Sequence, residues 1–150
     1  FPFIAKLPRN SSQGRGVYLI KDEKELVEYC QRTKIAYIQE YLNIDRDLRV
    51  VMINYKVVHA YWRIAMAGQY RSNVSQGAKI SFENIPQDAL DFAQKVAKLC
   101  NFDHVGLDVC LYRGKYYVLE ANMVYGKEGF LQANLDRRKI LQDMIEKREI

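Results

Sequence analysis

Two short stretches carry the residues best suited to chemistry, Gly106-Leu107-Asp108-Val109 and Val118-Leu119-Glu120-Ala121-Asn122. Side chains alternate between faces along a strand, so Glu120 and Asn122 project on one side. A fold-back at Arg113-Gly114-Lys115, read as a three-residue hairpin loop, sets Asp108 opposite Glu120. That register pairs Leu107 with Ala121, Val109 with Leu119 and Leu111 with Tyr117. One face is then apolar and the other carries the oxygen donors of Asp108, Glu120 and Asn122. A slip of one residue would turn the carboxylates into the core. Carboxylates facing each other across a hairpin repel unless a cation lies between them. Hard oxygen donors, few in number, suit Mg²⁺ shared with a phosphate. The ordinary alternative for such a pair is a solvated acidic strand face.

A second candidate is the loop Asn10-Ser11-Ser12-Gln13-Gly14-Arg15-Gly16. Backbone N–H groups of a Ser/Gly-rich turn can close over phosphates. No Gly-x-x-x-x-Gly-Lys-Ser/Thr occurs, which excludes a Walker-type P-loop. Gly14-Arg15-Gly16 leads into a strand rather than a helix, which excludes a dinucleotide fingerprint. Lys6 stands on the strand entering this loop. A lone strand lysine is ordinarily solvated, but beneath a phosphate-covering loop it is a point charge for a phosphate oxygen.

The elements that must position these groups follow from pattern. Phe3 to Leu7 and Val17 to Ile20 form a hairpin around the Gly-rich loop. Asp22 and Glu25 predict a capping box, opening a helix with Leu26, Val27 and Cys30 on one face. Ile35 to Leu42 is a strand, and Asn43 to Arg46 is the candidate hinge. Leu48 to Ile53 and Val57 to Ala65 form another hairpin about Asn54-Tyr55. A loop at Met66 to Gln69 precedes an extended piece, Tyr70 to Val74. Pro86 starts a helix with Leu90, Ala93, Val96, Ala97 and Cys100 at helical spacing. The hairpin of 105–123 follows, then a helix from about Asn134 with Leu135, Ile140, Leu141, Met144 and Ile145 inward. Hairpins with covering helices predict an α+β fold with antiparallel sheets.

The 150 residues are 49% hydrophobic, enough for one domain with a real core. A net charge of +5 favours anionic partners, but 18 acids interleave with 23 bases, which argues against nucleic acid. Cys30, Cys100 and Cys110 lie in apolar patterns without metal or disulfide spacing, and are expected to be buried free thiols in a reducing cytoplasm. No stretch is long enough to span a bilayer. The opening on Phe1-Pro2-Phe3-Ile4, strand-like from the start, is read as part of a longer protein.

Phe3-Ile4-Ala5-Lys6, Ser11 to Val17, Gln39-Glu40-Tyr41, Asp47-Leu48-Arg49, Arg71-Ser72-Asn73, Gly106-Leu107-Asp108 and Leu119 to Asn122 stand in the order of the ATP-grasp fold. The chain resembles its RimK-like branch, ATP-dependent carboxylate–amine ligases, from residue 1 to about 130. The resemblance implies two small lobes, 1–44 with the phosphate lid and 45–150 with the metal site, closing together on ATP. A carboxylate is phosphorylated to an acyl phosphate, which an amine such as an amino acid then displaces. It implies that Lys6 contacts the α/β-phosphates and that Ser11, Ser12, Gln13, Gly14 and Gly16 cover them. Gln39, Glu40 and Tyr41 would hold adenine through the backbone, and Asp47 the ribose. Arg63 and Arg71 would stabilise the transferring phosphoryl group, with Ser72 and Asn73 beside the nucleotide. Asp108, Glu120 and Asn122 would hold Mg²⁺, with Mn²⁺ as the alternative metal. Arg49 is left between orienting ligands and pairing with an acid.

The resemblance also implies a cytoplasmic enzyme and a further N-terminal domain, absent here, that helps build the acceptor end of the cleft. This piece alone is expected to be inactive. No membrane partner is implied, and a homo-oligomer is left open. Two rival readings are a non-catalytic nucleotide-binding module and a basic nucleic-acid-binding domain. Retention of all three metal-site residues argues against the first, and charge interleaving against the second. His59, His104 and Trp62 read as structural.

Overall fold

A computed structural model describes residues 1–8, 16–66 and 78–150. Two antiparallel sheets carry the molecule. The first has the order β2-β1-β3, from β1 (Phe3–Lys6), β2 (Val17–Ile20) and β3 (Tyr37–Glu40). Helix α1 (Glu23–Cys30) lies between β2 and β3 in sequence and packs on one face of this sheet. Its cap forms largely as predicted: Asp22 accepts from the Glu25 N–H at 2.9 Å, while the Glu25 carboxylate accepts from the Lys21 N–H at 2.6 Å, one residue earlier than a capping box requires. The buried face is different. Tyr29 and Leu26 pack against Ala5 and Ile20, whereas Val27 and Cys30 are exposed. The Tyr29 hydroxyl donates to the Lys6 carbonyl at 2.7 Å and accepts from the Tyr37 N–H at 3.1 Å. One buried side chain thus ties the end of β1 to the start of β3.

The second sheet has the order β6-β5-β4-β7-β8. Its strands are β4 (Arg46–Ile53), β5 (Lys56–Ile64), β6 (Lys79–Ser81), β7 (His104–Tyr112) and β8 (Lys115–Asn122). Sequence pattern did not anticipate β6, whose three residues are too short to show alternation. The predicted extended piece at Tyr70 to Val74 lies outside the described residues.

One face of this sheet is the main core. Helix α2 (Gln87–Leu99) lays Ala89, Ala93 and Ala97 over Leu48, Val50, Leu107 and Val109. Small residues four apart let the helix backbone approach closely, and the aliphatic strand residues fill the space. Cys100 ends up exposed just past the helix rather than on its inner face. On the opposite sheet face pack the short α3 (Glu128–Gln132) and α4 (Arg137–Glu146), whose Phe130 and Ile140 meet Val51. One helix was expected there. Met144 of α4 is buried, but Leu135 and Ile145 are exposed.

The 105–123 hairpin turns differently from expectation. Tyr112 pairs with Lys115, leaving a two-residue turn at Arg113-Gly114 with φ of 49° and 76°. Positive φ at both positions matches the twist of the flanking strands. Val109 therefore pairs with Val118 and Leu111 with Tyr116, not with Leu119 and Tyr117. A bulge between Asp108 and Val109 restores the expected partners, Asp108 with Glu120, Leu107 with Ala121 and Gly106 with Asn122. No helix among the described residues is long and apolar enough to cross a membrane.

Candidate active site

Beyond the part of its face on which α3 and α4 pack, the second sheet presents transverse rows of facing side chains. One row runs Tyr61, Arg49, Asp108, Glu120 across β5, β4, β7 and β8. In the next row, nearer the open end, Arg63 faces Asp47. Arginines and aspartates therefore alternate in two directions, and they pair. Arg49 Nε donates to Asp108 Oδ1 and its Nη2 to Asp108 Oδ2 at 3.1 Å. Arg63 Nε donates to Asp47 Oδ1 at 2.6 Å, and its Nη2 lies 2.7 Å from Asp108 Oδ2. All four are buried, with exposures of 2% for Asp47, 7% for Arg49, 6% for Arg63 and 4% for Asp108. Unpaired charge at such depth would cost several kcal/mol per ion, so mutual pairing is what permits it. Burial pushes the Arg63 guanidinium down, but Asp47 and Asp108 outweigh it and hold the group firmly protonated. Glu120, by contrast, is exposed at the edge of this neutral quartet and has no ion-pair partner among the described residues.

The face of the first sheet that α1 leaves open looks onto the same space. Ile4 and Lys6 of β1, Val17 of β2 and Gln39 of β3 line a cleft with Glu40, Tyr41, Leu42 and Ile44 of the connection between the sheets. Asp47, Arg63, Asp108, Leu119 and Glu120 supply its opposite wall. The Lys6 ammonium sits 5.6 Å from the centre of the Tyr37 ring. Gln39 Oε1 is buried without a hydrogen-bond donor, an acceptor left over on the cleft wall.

The predicted site residues thus divide. Lys6, Gln39, Glu40, Tyr41, Asp47, Arg63, Asp108 and Glu120 meet in one cleft. Asn122 stands on the same strand face, opposite Gly106, with its amide nitrogen buried and unpartnered. Gly16 lies at the foot of the loop, its carbonyl accepting from the Leu7 N–H at 2.8 Å. Ser11, Ser12, Gln13, Gly14, Arg71, Ser72 and Asn73 lie outside the described residues. The apolar walls, Ile4, Val17 and Leu119, were not anticipated. Alternation along β1 could have marked Ile4 and Lys6 as one face; nothing local marks Leu119, which faces the cleft because of the bulge.

Whether these residues suit a divalent cation can be judged from the donors. Asp108 and Glu120 face each other with carboxylate oxygens, and Asn122 adds an amide two residues on. Its orphaned nitrogen is an atom without use in this packing, while an amide rotated by 180° would offer oxygen instead. The set fits Mg²⁺ or Mn²⁺ shared with phosphate oxygens, which need few protein ligands. Among the described residues no three His, Cys, Asp or Glu side chains cluster, so an all-carboxylate or thiolate site is not present there.

The aromatic groups behind the site are structural. His59 Nε2 meets the Gly129 carbonyl at 3.2 Å, and burial pushes its imidazole down. His104 meets the Tyr125 hydroxyl at 2.8 Å, and Trp62 donates to the Glu83 carbonyl at 3.1 Å. Cys30, Cys100 and Cys110 are all free, but only Cys110 is buried; Cys30 is exposed at the end of α1 and Cys100 just past α2.

A family model described as the RimK-like ATP-grasp domain matches residues 1–145. The chain is 30% identical to a probable alpha-L-glutamate ligase of Shewanella halifaxensis, covering 98% of this chain and 33% of that protein. It is 28% identical to beta-citrylglutamate synthase B of Danio rerio, over 97% of this chain and 37% of the relative. The chain thus spans about a third of the length of these curated relatives. Among solved structures, the ATP-grasp ligase PsnB complexed with a phosphomimetic precursor variant, Mg and ADP superposes with a TM-score of 0.70 at 22% identity, covering 97% of this chain and 46% of that one. D-alanine–D-alanine ligase of Bacillus anthracis gives 0.69 at 17% identity, over 97% of this chain and 54% of the other. These likenesses establish an α+β ATP-grasp fold.

Proposed function

The chain belongs to the RimK-like ATP-grasp family, and from that premise we propose that it is the nucleotide-binding, catalytic part of an ATP-dependent carboxylate–amine ligase. The observation that carries this is the single cleft in which Lys6, Asp47, Arg63, Asp108 and Glu120 face the backbone of 39–41. In this reading the three-stranded sheet with α1 is the smaller lobe, and residues 45–150 form the larger one.

The roles follow from placement. The edge of β3 and the connection after it offer backbone groups for a base, with Gln39 Oε1 as an extra acceptor. Lys6 reaches the cleft from the opposite side to Glu120 and supplies a point charge to the phosphates. Asp47 lies at the floor of the cleft, where a ribose hydroxyl would share its carboxylate with Arg63. Asp108, Glu120 and Asn122 would hold Mg²⁺ or Mn²⁺, which neutralises phosphate charge while the terminal phosphoryl group moves. Arg63 is spoken for by two carboxylates. To stabilise the transferring phosphoryl group it must trade one of them for a phosphate oxygen, a like-for-like exchange of anions. The phosphoryl acceptor is a carboxylate, and an amine then displaces phosphate from the acyl phosphate. Arg71, Ser72 and Asn73, and the 11–16 loop, are proposed to complete the phosphate environment.

Calorimetric titration of ATP with and without Mg²⁺ tests this. Binding should tighten with the metal, and Glu120→Ala should weaken Mg·ATP by about tenfold or more while leaving metal-free ATP nearly unchanged, as expected for loss of a group that acts through the ion. No detectable Mg·ATP binding by a folded sample would remove the basis for the ligase reading. Mg·ATP binding without turnover when the rest of the cleft is supplied would favour a nucleotide-binding module instead.

A further inference from the structure

Arg49 is the one member of the buried quartet that does not line the cleft, although its partner Asp108 does. It lies behind the carboxylate, flanked across the strands by Tyr61 on one side and Asp108 on the other. Tyr61 is itself pressed against α3, where a Cβ on Gly129 would come within 2.1 Å of the ring. Arg49 therefore has Tyr61 as its strand neighbour on one side and turns its guanidinium edge to Asp108 on the other. The contact is bidentate, Nε to one carboxylate oxygen and Nη2 to the other, so it fixes both the position and the plane of the carboxylate.

An ionised carboxylate offers about four lone-pair sites. Arg49 occupies one on each oxygen and Arg63 a second on Oδ2, which leaves Oδ1 with one site that no donor among the described residues takes. We propose that Arg49 is a positioning residue that presents Asp108 Oδ1 to the divalent cation, and that it sets metal affinity without touching nucleotide or substrate. The proposal rests on reading Asp108 and Glu120 as cation ligands. It makes one chemical demand that a general structural ion pair does not: the fork geometry matters, not only the positive charge. Lysine supplies a point charge that cannot hold both oxygens in plane. Partners that orient metal ligands typically carry 10–100-fold of the affinity, by fixing geometry rather than by adding a bond.

The test uses the 150-residue chain and compares ATP affinity with and without Mg²⁺, together with the Mn²⁺ electron paramagnetic resonance spectrum of the ADP complex. In Arg49→Lys the gain in affinity conferred by the metal should fall by about 10–100-fold and the Mn²⁺ spectrum should change, while metal-free ATP binds as before. An undiminished metal gain overturns the proposal. An equal loss with and without metal also overturns it, because Arg49 would then act on the nucleotide or on the fold. If the unsubstituted chain shows no metal gain at all, the assignment of Asp108 and Glu120 itself fails, an outcome visible before any variant is made. Should Arg49→Lys not fold, Asp108→Asn is compared with the pair Asp108→Asn and Arg49→Met, which removes both buried charges. The two should show the same metal gain, and a further loss in the pair would overturn an action through Asp108.

Discussion

At the scale of single residues, the chemistry of this chain depends on which charged groups are buried and who compensates them. Asp47, Arg49, Arg63 and Asp108 form a neutral buried set, and Glu120 stands outside it as an exposed anion. Spacing in the sequence made the shared face of Asp108, Glu120 and Asn122 legible, because strand alternation is a local rule. Pairing with an acid was one of two readings of Arg49, but which acid was not legible, since Arg49 and Asp108 are 59 residues apart and meet only through the β4–β7 register. The thiols show the same limit. All three cysteines sit among apolar residues in sequence, yet Cys30 and Cys100 face solvent and only Cys110 is enclosed, beside Asp47. Burial, aided by the negative charge of Asp47, pushes the Cys110 thiol up to about 11. Because the thiolate is the reactive form, Cys110 should resist modification. Titration of the native chain with a thiol-specific reagent near pH 8 should label Cys30 and Cys100 readily and Cys110 only after denaturation, as peptide mapping would show. Rapid labelling of Cys110 in the folded chain would contradict the enclosed position.

Among the elements, the β7–β8 hairpin shows how a right pairing can follow from a partly wrong register. A three-residue loop without irregularity and a two-residue turn followed by one bulge both set Glu120 opposite Asp108. Hydrophobic alternation constrains the faces, so the carboxylate pairing was legible; the count of turn residues is a backbone matter and was not. The bulge has its own effect. Residues 119 and 120 both oppose Asp108, and both line the cleft, so the extra residue adds an apolar wall beside an acidic ligand. Deleting Leu119 should regularise the hairpin and keep the Asp108–Glu120 pair. The expected outcome is weaker nucleotide binding with the dependence on Mg²⁺ preserved, read by the same paired ATP titrations. Loss of the Mg²⁺ dependence instead would mean that the bulge, and not the pairing, places Glu120. Helix α1 offers a parallel lesson. Its cap was visible in Asp22 and Glu25, but its inner face is set by Tyr29, whose hydroxyl ties Lys6 to Tyr37 across the sheet. A tyrosine among charged residues gives no local sign of that.

For the whole molecule, the two sheets share one cleft and are joined in sequence by the short run 41–45, which belongs to neither. The α+β class was legible because hairpins and amphipathic helices are local, whereas β6 was too short to register and the covering of the second face had to be seen. Base, ribose and metal contacts are proposed to come from the two walls described, and phosphate contacts also from the 11–16 loop and from Arg71, Ser72 and Asn73. Acceptor recognition is another matter: the chain spans 33% and 37% of the relatives named above, so much of what those proteins use has no counterpart in these 150 residues. Ligation needs the acyl phosphate and the amine held within about 3–3.5 Å in aligned geometry, which takes groups on the acceptor side as well as on the nucleotide side. The 150-residue chain should accordingly bind Mg·ATP yet release phosphate no faster when amino acids are added. Calorimetry for the binding and a coupled phosphate assay with a panel of amino acids, glutamate included, separate the two halves of this expectation. Binding without amine-dependent release would place acceptor recognition beyond this chain. Robust glutamate-dependent release would instead show that the two walls around Lys6, Arg63 and Glu120 suffice for the complete reaction.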